Sequence, residues 1–152
     1  MKKLLLVLIV FNISMCYVHS QKKTVQGRVI TDQFDIALGV SIMINDTVKV
    51  GVTDMDGYFK LDIPKGNKKI TFKDIGLYPT TIELEDRCNK LEVIVITSGA
   101  RKSISLKRAD RQLKRRFKKL PEIHRQAFKK KLFETKYACY EREFKTFYVN
   151  KD

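Results

Sequence analysis

The segment GVTDMDGYFKLDIP, Gly51 to Pro64, sets two alternating apolar and polar runs on either side of a turn rich in Asp and Gly. Val48, Val50 and Val52 fall on one face of the first run, with Lys49 and Thr53 on the other; Phe59, Leu61 and Ile63 then alternate with Tyr58, Lys60 and Asp62. A period of two puts each set on one side of a pleated strand, so each strand has one wet face. Asp54, Asp56 and Gly57 suit a tight reversal, because short carboxylates hydrogen-bond nearby backbone and glycine accepts positive φ. The segment therefore predicts a β-hairpin, with Val50, Val52, Phe59 and Leu61 facing the core and Thr53, Asp54, Asp56, Gly57 and Phe59 as its marker residues.

Short strands extend outward from it in both directions. Upstream, Val25, Gly27 and Val29 share a face of Thr24 to Ile30, and Leu38, Val40, Ile42 and Ile44 share a face of the next run, which Asn45-Asp46 turns. Downstream, Pro64-Lys65-Gly66-Asn67 breaks the chain before Ile70 and Phe72, then Ile82 and Leu84, point inward. The last run, LEVIVI at 91–96, is apolar on both faces apart from Glu92, so its second side requires a cover from the other sheet's neighbour or from the C-terminal region. Seven closely spaced strands with little helical periodicity predict a mainly β fold, an antiparallel β-sandwich with one core between two sheets.

The two ends of the chain read differently. Lys2 and Lys3 precede an apolar run from Leu4 to Phe11 and a more polar region ending Val18-His19-Ser20, the layout of a secretory signal peptide over residues 1–20 with cleavage before Gln21. The apolar run is short for a bilayer span, so no transmembrane span is expected after cleavage; Cys16 follows Met15 rather than the small residue that lipoprotein signals favour. The 152-residue chain carries a formal charge of +14, yet residues 21–100 hold 11 basic and 11 acidic residues while 101–152 hold 18 and 6. That asymmetry divides the chain into a neutral module, 21–99, and a basic extension, 100–152. Leu106, Ala109, Leu113, Phe117 and Leu120 recur at helical spacing, and Pro121 begins or kinks the next segment. In that segment Ile123, Ala127, Phe128, Leu132, Phe133, Tyr137, Tyr140, Phe144 and Phe147 or Tyr148 suggest a second amphipathic helix.

The ordered runs VQGRVITDQFDIALGVSIMI, GVTDMDGYFKLDIPKG and ITFKDIGLYPTTIEL resemble the carboxypeptidase regulatory-like domain, a transthyretin-like (Ig-like) sandwich of seven strands. Gly27, Val29, Leu38, Gly39, Val40, Thr53, Asp54, Gly57, Phe59, Ile75 and Gly76 stand in the family's roles, with Asp32 one residue late and Ala37 where proline is common. The resemblance covers Val25 to about Ile96 and implies a scaffold rather than an activity. Domains like this also precede the plug of TonB-dependent outer-membrane receptors, and LEVIVITSGARKSISLKRA resembles that junction, which implies an accessory or truncated segment related to such a receptor as an alternative.

Chemistry is sparse. With His19 in the leader, His124 is the one remaining histidine, read as a surface residue, and no nucleophile motif surrounds Ser41, Ser98, Ser103 or Ser105. A calcium loop centred on Gly57 would need ligands from Val52 and Ile63, which cannot coordinate a hard cation. A noncatalytic protein without cofactor or metal is the expectation. Cys88 and Cys139 either pair as a disulfide, which export permits, or remain separate thiols. Arg115, Arg116, Lys118, Lys119, Lys129, Lys130 and Lys131 form either a solvated docking face or a patch for an anionic partner: envelope protein, lipid or wall polymer. Tyr58 and Tyr78 leave a carbohydrate-binding module as a second alternative. Nucleic acid ranks last, because an exported protein, whether periplasmic, outer-membrane-associated or secreted, seldom meets it.

Overall fold

The computed structural model describes residues 22–64, 66–85, 87–98 and 105–146. The leader reading, Cys16, Phe147 and Tyr148 lie outside those residues. Nine strands and one long helix follow in the order β1 (Lys22–Thr31), β2 (Ser41–Ile44), β3 (Val48–Val52), β4 (Tyr58–Pro64), β5 (Lys69–Lys73), β6 (Leu77–Tyr78), β7 (Thr80–Leu84), β8 (Lys90–Thr97), α1 (Leu106–Lys129) and β9 (Tyr140–Glu143). One sheet has the order β4-β1-β8-β6 and the other β3-β2-β5-β7-β9. The expected count of seven strands thus becomes nine among the described residues, the additions being the two-residue β6 and the C-terminal β9. Pairing is antiparallel except between β1 and β8, which run parallel from Gln26↔Lys90 to Thr31↔Val95. Gly27 permits that approach: a Cβ there would stand 1.8 Å from the Leu91 carbonyl oxygen.

The inner faces meet as the period-two pattern requires. Val25 and Val29 from β1, Leu61 and Ile63 from β4, and Val93 and Val95 from β8 face Ile42, Ile70 and Ile82 of the other sheet. The Phe59 and Phe72 rings meet edge to face across the gap, 5.6 Å between centroids. Asn45 and Asp46 both take positive φ in the β2–β3 turn, where short polar side chains tolerate the left-handed region.

The segment Gly51 to Pro64 is not a hairpin. β3 pairs with β2 and β4 pairs with β1, so the chain crosses from one sheet to the other through Asp54–Tyr58. Phe59, Leu61 and Ile63 face the core, but Val48 and Val52 are exposed and Val50 packs only at the core's margin. Thr53 is buried instead. Leu38, also expected inside, sits before β2 and is 63% exposed.

The second face of β8 is covered by α1. Ile30, Ile94 and Ile96 form a second apolar cluster with Leu113, Leu120, Ala127 and Phe133, giving three layers of sheet, sheet and helix. The helix runs through Pro121 without ending. No second helix follows it among the described residues: α1 stops at Lys129, Lys131 takes φ 59°, and the chain returns as β9 to pair with β7 from Thr81↔Glu143 to Leu84↔Tyr140. Within the basic third, the described α1 and β9 pack onto the sandwich.

Candidate functional site

The marker residues of the crossing are occupied with structure. Thr53 Oγ1 donates to the Ala37 carbonyl at 2.6 Å and accepts from the Val40 N–H at 2.9 Å. Asp54 Oδ1 accepts the N–H groups of Asp56 (3.0 Å) and Tyr58 (2.7 Å), spending the carboxylate on the turn. Gly57 has φ 77°, and its carbonyl accepts from the Val29 N–H. Among the described residues no group of three or more His, Cys, Asp or Glu could hold a metal ion. Arg28 then links the crossing to the C-terminal region, donating from Nε to the Asp56 carbonyl and from Nη1 to the Leu132 carbonyl, both at 3.1 Å, with its guanidinium 4.8 Å from the Tyr58 ring centre.

The seven cations expected to form one patch divide by helix face. Arg115, Lys118, Lys119 and Lys129 are exposed on the side of α1 opposite Leu113, Leu120 and Ala127. Arg116 turns inward: Nε donates to Asp32 Oδ2 at 2.8 Å and Nη1 to the Thr97 carbonyl at 2.6 Å, and the Asp32 carboxylate is only 7% exposed. Arg116 is thus a docking residue that ties α1 to the sandwich. Lys130 places its ammonium 3.8 Å from the Phe34 ring centre, and Lys131 lines a groove beside β4. The helix carries ten Lys/Arg against Asp110 and Glu122, and no acid stands in its first turn, where Lys107 and Arg108 oppose the macrodipole. Ser105 supplies no side-chain cap. Lys129 in the last turn complements the macrodipole, whereas the basic first turn does not.

Beneath α1 lies a polar seam that the sequence reading missed. Glu92, the one polar residue in LEVIVI, is buried, and its carboxylate accepts the N–H groups of Glu134 (2.5 Å) and Thr135 (2.9 Å) and the Thr135 hydroxyl. His124 is not at the surface; it is 3% exposed, with Nε2 3.1 Å from the Thr135 carbonyl oxygen and 4.0 Å from Glu92 Oε2. Nε2 therefore carries the proton that this carbonyl accepts. Burial holds the imidazole below its ordinary value of 6.5, against the smaller opposing pulls of the Thr135 carbonyl and Glu92. A hydroxyl already donating to a carboxylate beside a histidine engaged with a carbonyl is an anchor, without the nucleophile-base contact that acyl transfer needs.

From β9, the Tyr140 hydroxyl donates to the Glu92 carbonyl (2.8 Å) and Arg142 Nη1 to the Ile94 carbonyl (2.6 Å), capping alternate carbonyls on the edge of β8 that β6 reaches only at Ile96 and Thr97. Cys88 and Cys139 are joined by a disulfide that fixes the chain just before β9.

Two concavities flank this seam. An open groove of about 580 Å³ is lined by both charge signs, including Arg28, Tyr58, Lys60, Lys131 and Glu134. A more apolar cavity of about 340 Å³ lies between α1, β8 and the segment leading into β9.

Residues 25–107 match the family model described as CarboxypepD_reg-like domain, a span running from β1 through β8 to the start of α1. No curated protein matches the chain.

Proposed function

Since the chain belongs to the CarboxypepD_reg-like domain family through residues 25–107, we propose that it is an exported, noncatalytic envelope module whose sandwich holds a cationic helix against an anionic surface of the envelope. The observation that carries this reading is the division of α1 into two faces. Leu113, Arg116, Leu120 and Ala127 dock, which leaves Arg111, Lys114, Arg115, Lys118, Lys119 and Lys129 to solvent on a rigid scaffold. Rigid display concentrates positive potential without the entropy cost that a free tail pays on ordering, and each basic residue near an anionic bilayer contributes about 1 kcal/mol.

Sedimentation with phosphatidylglycerol or phosphatidylcholine vesicles across a salt series tests the proposal. Retention by the anionic vesicles alone, lost as the screening length falls from about 10 Å at 0.1 M toward about 3 Å at 1 M, is the expected result. Retention indifferent to lipid charge would refute it. Truncation at residue 100 is the wrong test, because it uncovers Ile30, Ile94 and Ile96 and removes β9.

One observation favours a second reading, carbohydrate binding. Tyr58 is 48% exposed in the 580 Å³ groove beside Gln26 and Lys60, combining a ring with hydrogen-bonding groups as sugar recognition requires. Binding to a glycan array that vanished in Tyr58→Ala would support it, and a blank array would remove it.

A further inference from the structure

The 340 Å³ cavity differs in chemistry from the charged 580 Å³ groove. Ile94, Phe117, Leu120 and Pro121 supply apolar wall, and the buried His124 also lines it. The volume falls at the lower end of the range for small-molecule sites, about 300–1,000 Å³. Its polar rim is cationic. Lys136 and Arg142 both line it, and no Asp or Glu does.

Neither cation is neutralised among the described residues. Among the described residues, Arg142 and Lys136 form no ion pair with a carboxylate: Lys136 lies 5.4 Å from the Tyr137 ring centre, while Arg142 meets only the Ile94 carbonyl, the Tyr140 hydroxyl and the Tyr140 ring. A guanidinium has five N–H donors, so those contacts leave Arg142 with several to spare. The Glu92 carboxylate lies 4.0 Å from His124 Nε2, is not among the residues lining the cavity, and already accepts from Glu134 and Thr135. A half-buried guanidinium at the mouth of an apolar cavity, held in place by neutral acceptors, is preorganised for an anion that brings an apolar body with it.

We propose that this cavity binds a small amphipathic carboxylate of the fatty-acid class, its chain against Ile94, Phe117 and Leu120 and its carboxylate at Arg142 and Lys136. The site is separate from the outer face of α1, so it stands or falls independently of membrane docking. Binding expels water from the apolar wall and gives Arg142 a counter-charge that no described carboxylate supplies.

Calorimetric titration of the full chain with decanoate below its micelle concentration tests this, with decanol and decyltrimethylammonium as probes of the same chain length. Saturable one-to-one binding of decanoate, at least tenfold tighter than decanol and absent for the cationic probe, is expected. Lys136→Gln should weaken decanoate about three- to tenfold. Ala138→Trp, which fills the cavity from its exposed wall, should abolish binding while leaving the melting temperature and vesicle binding unchanged. Equal affinity for decanol, no binding of decanoate, or undiminished binding to the folded Ala138→Trp variant would each overturn the proposal. Loss of decanoate binding in a variant of Arg115, Lys118 and Lys119 would also overturn it, by placing the anion on the helix face.

Discussion

Replacing Glu92 by Gln should loosen the seam that holds the C-terminal third to the sandwich. Two of the three donors to this carboxylate, the Thr135 N–H and hydroxyl, reach Oε2, and the Glu134 N–H reaches Oε1. A Gln side chain can keep an oxygen toward Thr135 but must then point its NH₂ at the Glu134 N–H, donor against donor. One charge-assisted bond is lost, at about 1.5–3 kcal/mol, and the other two weaken as the acceptor becomes neutral. The total loss should be about 2–4 kcal/mol. With a urea dependence of about 2 kcal/mol/M, the unfolding midpoint should fall by about 1–2 M with the disulfide intact. Amide exchange at Glu134 and Thr135 should accelerate more than at Ile42 or Phe72, which the seam does not touch. A midpoint within about 0.3 M of the parent and unchanged exchange at both amides would refute the seam's role.

Gly57→Ala puts a Cβ 2.5 Å from the Val29 carbonyl oxygen at φ 77°, so strain and the weakened Val29–Gly57 bond should cost about 2–4 kcal/mol; an unchanged thermal melt would contradict this crossing geometry. Burial lowers the His124 pKa below 6.5, so the unfolded chain takes up the proton first as pH falls. Its contribution to stability is complete above about pH 6.5 and declines below it. His124→Gln should flatten the pH dependence of the urea midpoint in that window, and an identical slope in both proteins would exclude the effect. The Cys88–Cys139 bridge spans a sequence separation of 51, for which chain entropy gives about 4 kcal/mol. A reductant should therefore lower the melting temperature of the parent and leave Cys139→Ser unaffected.

Much of the sandwich was legible because alternation in Val25–Val29, Ile70–Phe72 and Ile82–Leu84 records which face is buried. Alternation does not record which sheet a strand joins. Gly51 to Pro64 has the composition of a hairpin turn, yet its arms belong to different sheets, and the cue was Thr53, whose hydroxyl bonds Ala37 and Val40 in the loop before β2. The two-sided apolarity of β8 called for a cover, and α1 provides it. Glu92 was conspicuous in that strand, but its partners, Glu134 and Thr135, lie too far along the chain for a local pattern to connect. His124 has charged neighbours in sequence, yet it follows Leu120 by four residues and Leu113 by eleven, on the helix's apolar stripe. The helix ends at Lys129 with neither Gly nor Pro to mark the stop, so the apolar spacing continues past it without the helix. In Tyr140, Arg142 and Phe144 the period is already two: these are at least partly buried, while Glu141, Glu143 and Lys145 are exposed.

The division of cations followed from the same geometry. Seven basic residues read as one patch are, once folded, a docking arginine at Arg116, a ring contact at Lys130, a groove residue at Lys131 and a free face containing Arg115, Lys118, Lys119 and Lys129.

The most direct test compares two triple variants with the same change in net charge, Arg115→Gln/Lys118→Gln/Lys119→Gln on the outer face of α1 and Lys22→Gln/Lys49→Gln/Lys73→Gln on exposed strand positions. At about 1 kcal/mol per cation near the surface, the helix variant should bind phosphatidylglycerol vesicles about 100-fold more weakly than the parent, while the strand variant stays within about threefold. Equal losses in the two variants would mean that net charge, not the displayed helix, drives binding, and would contradict the account.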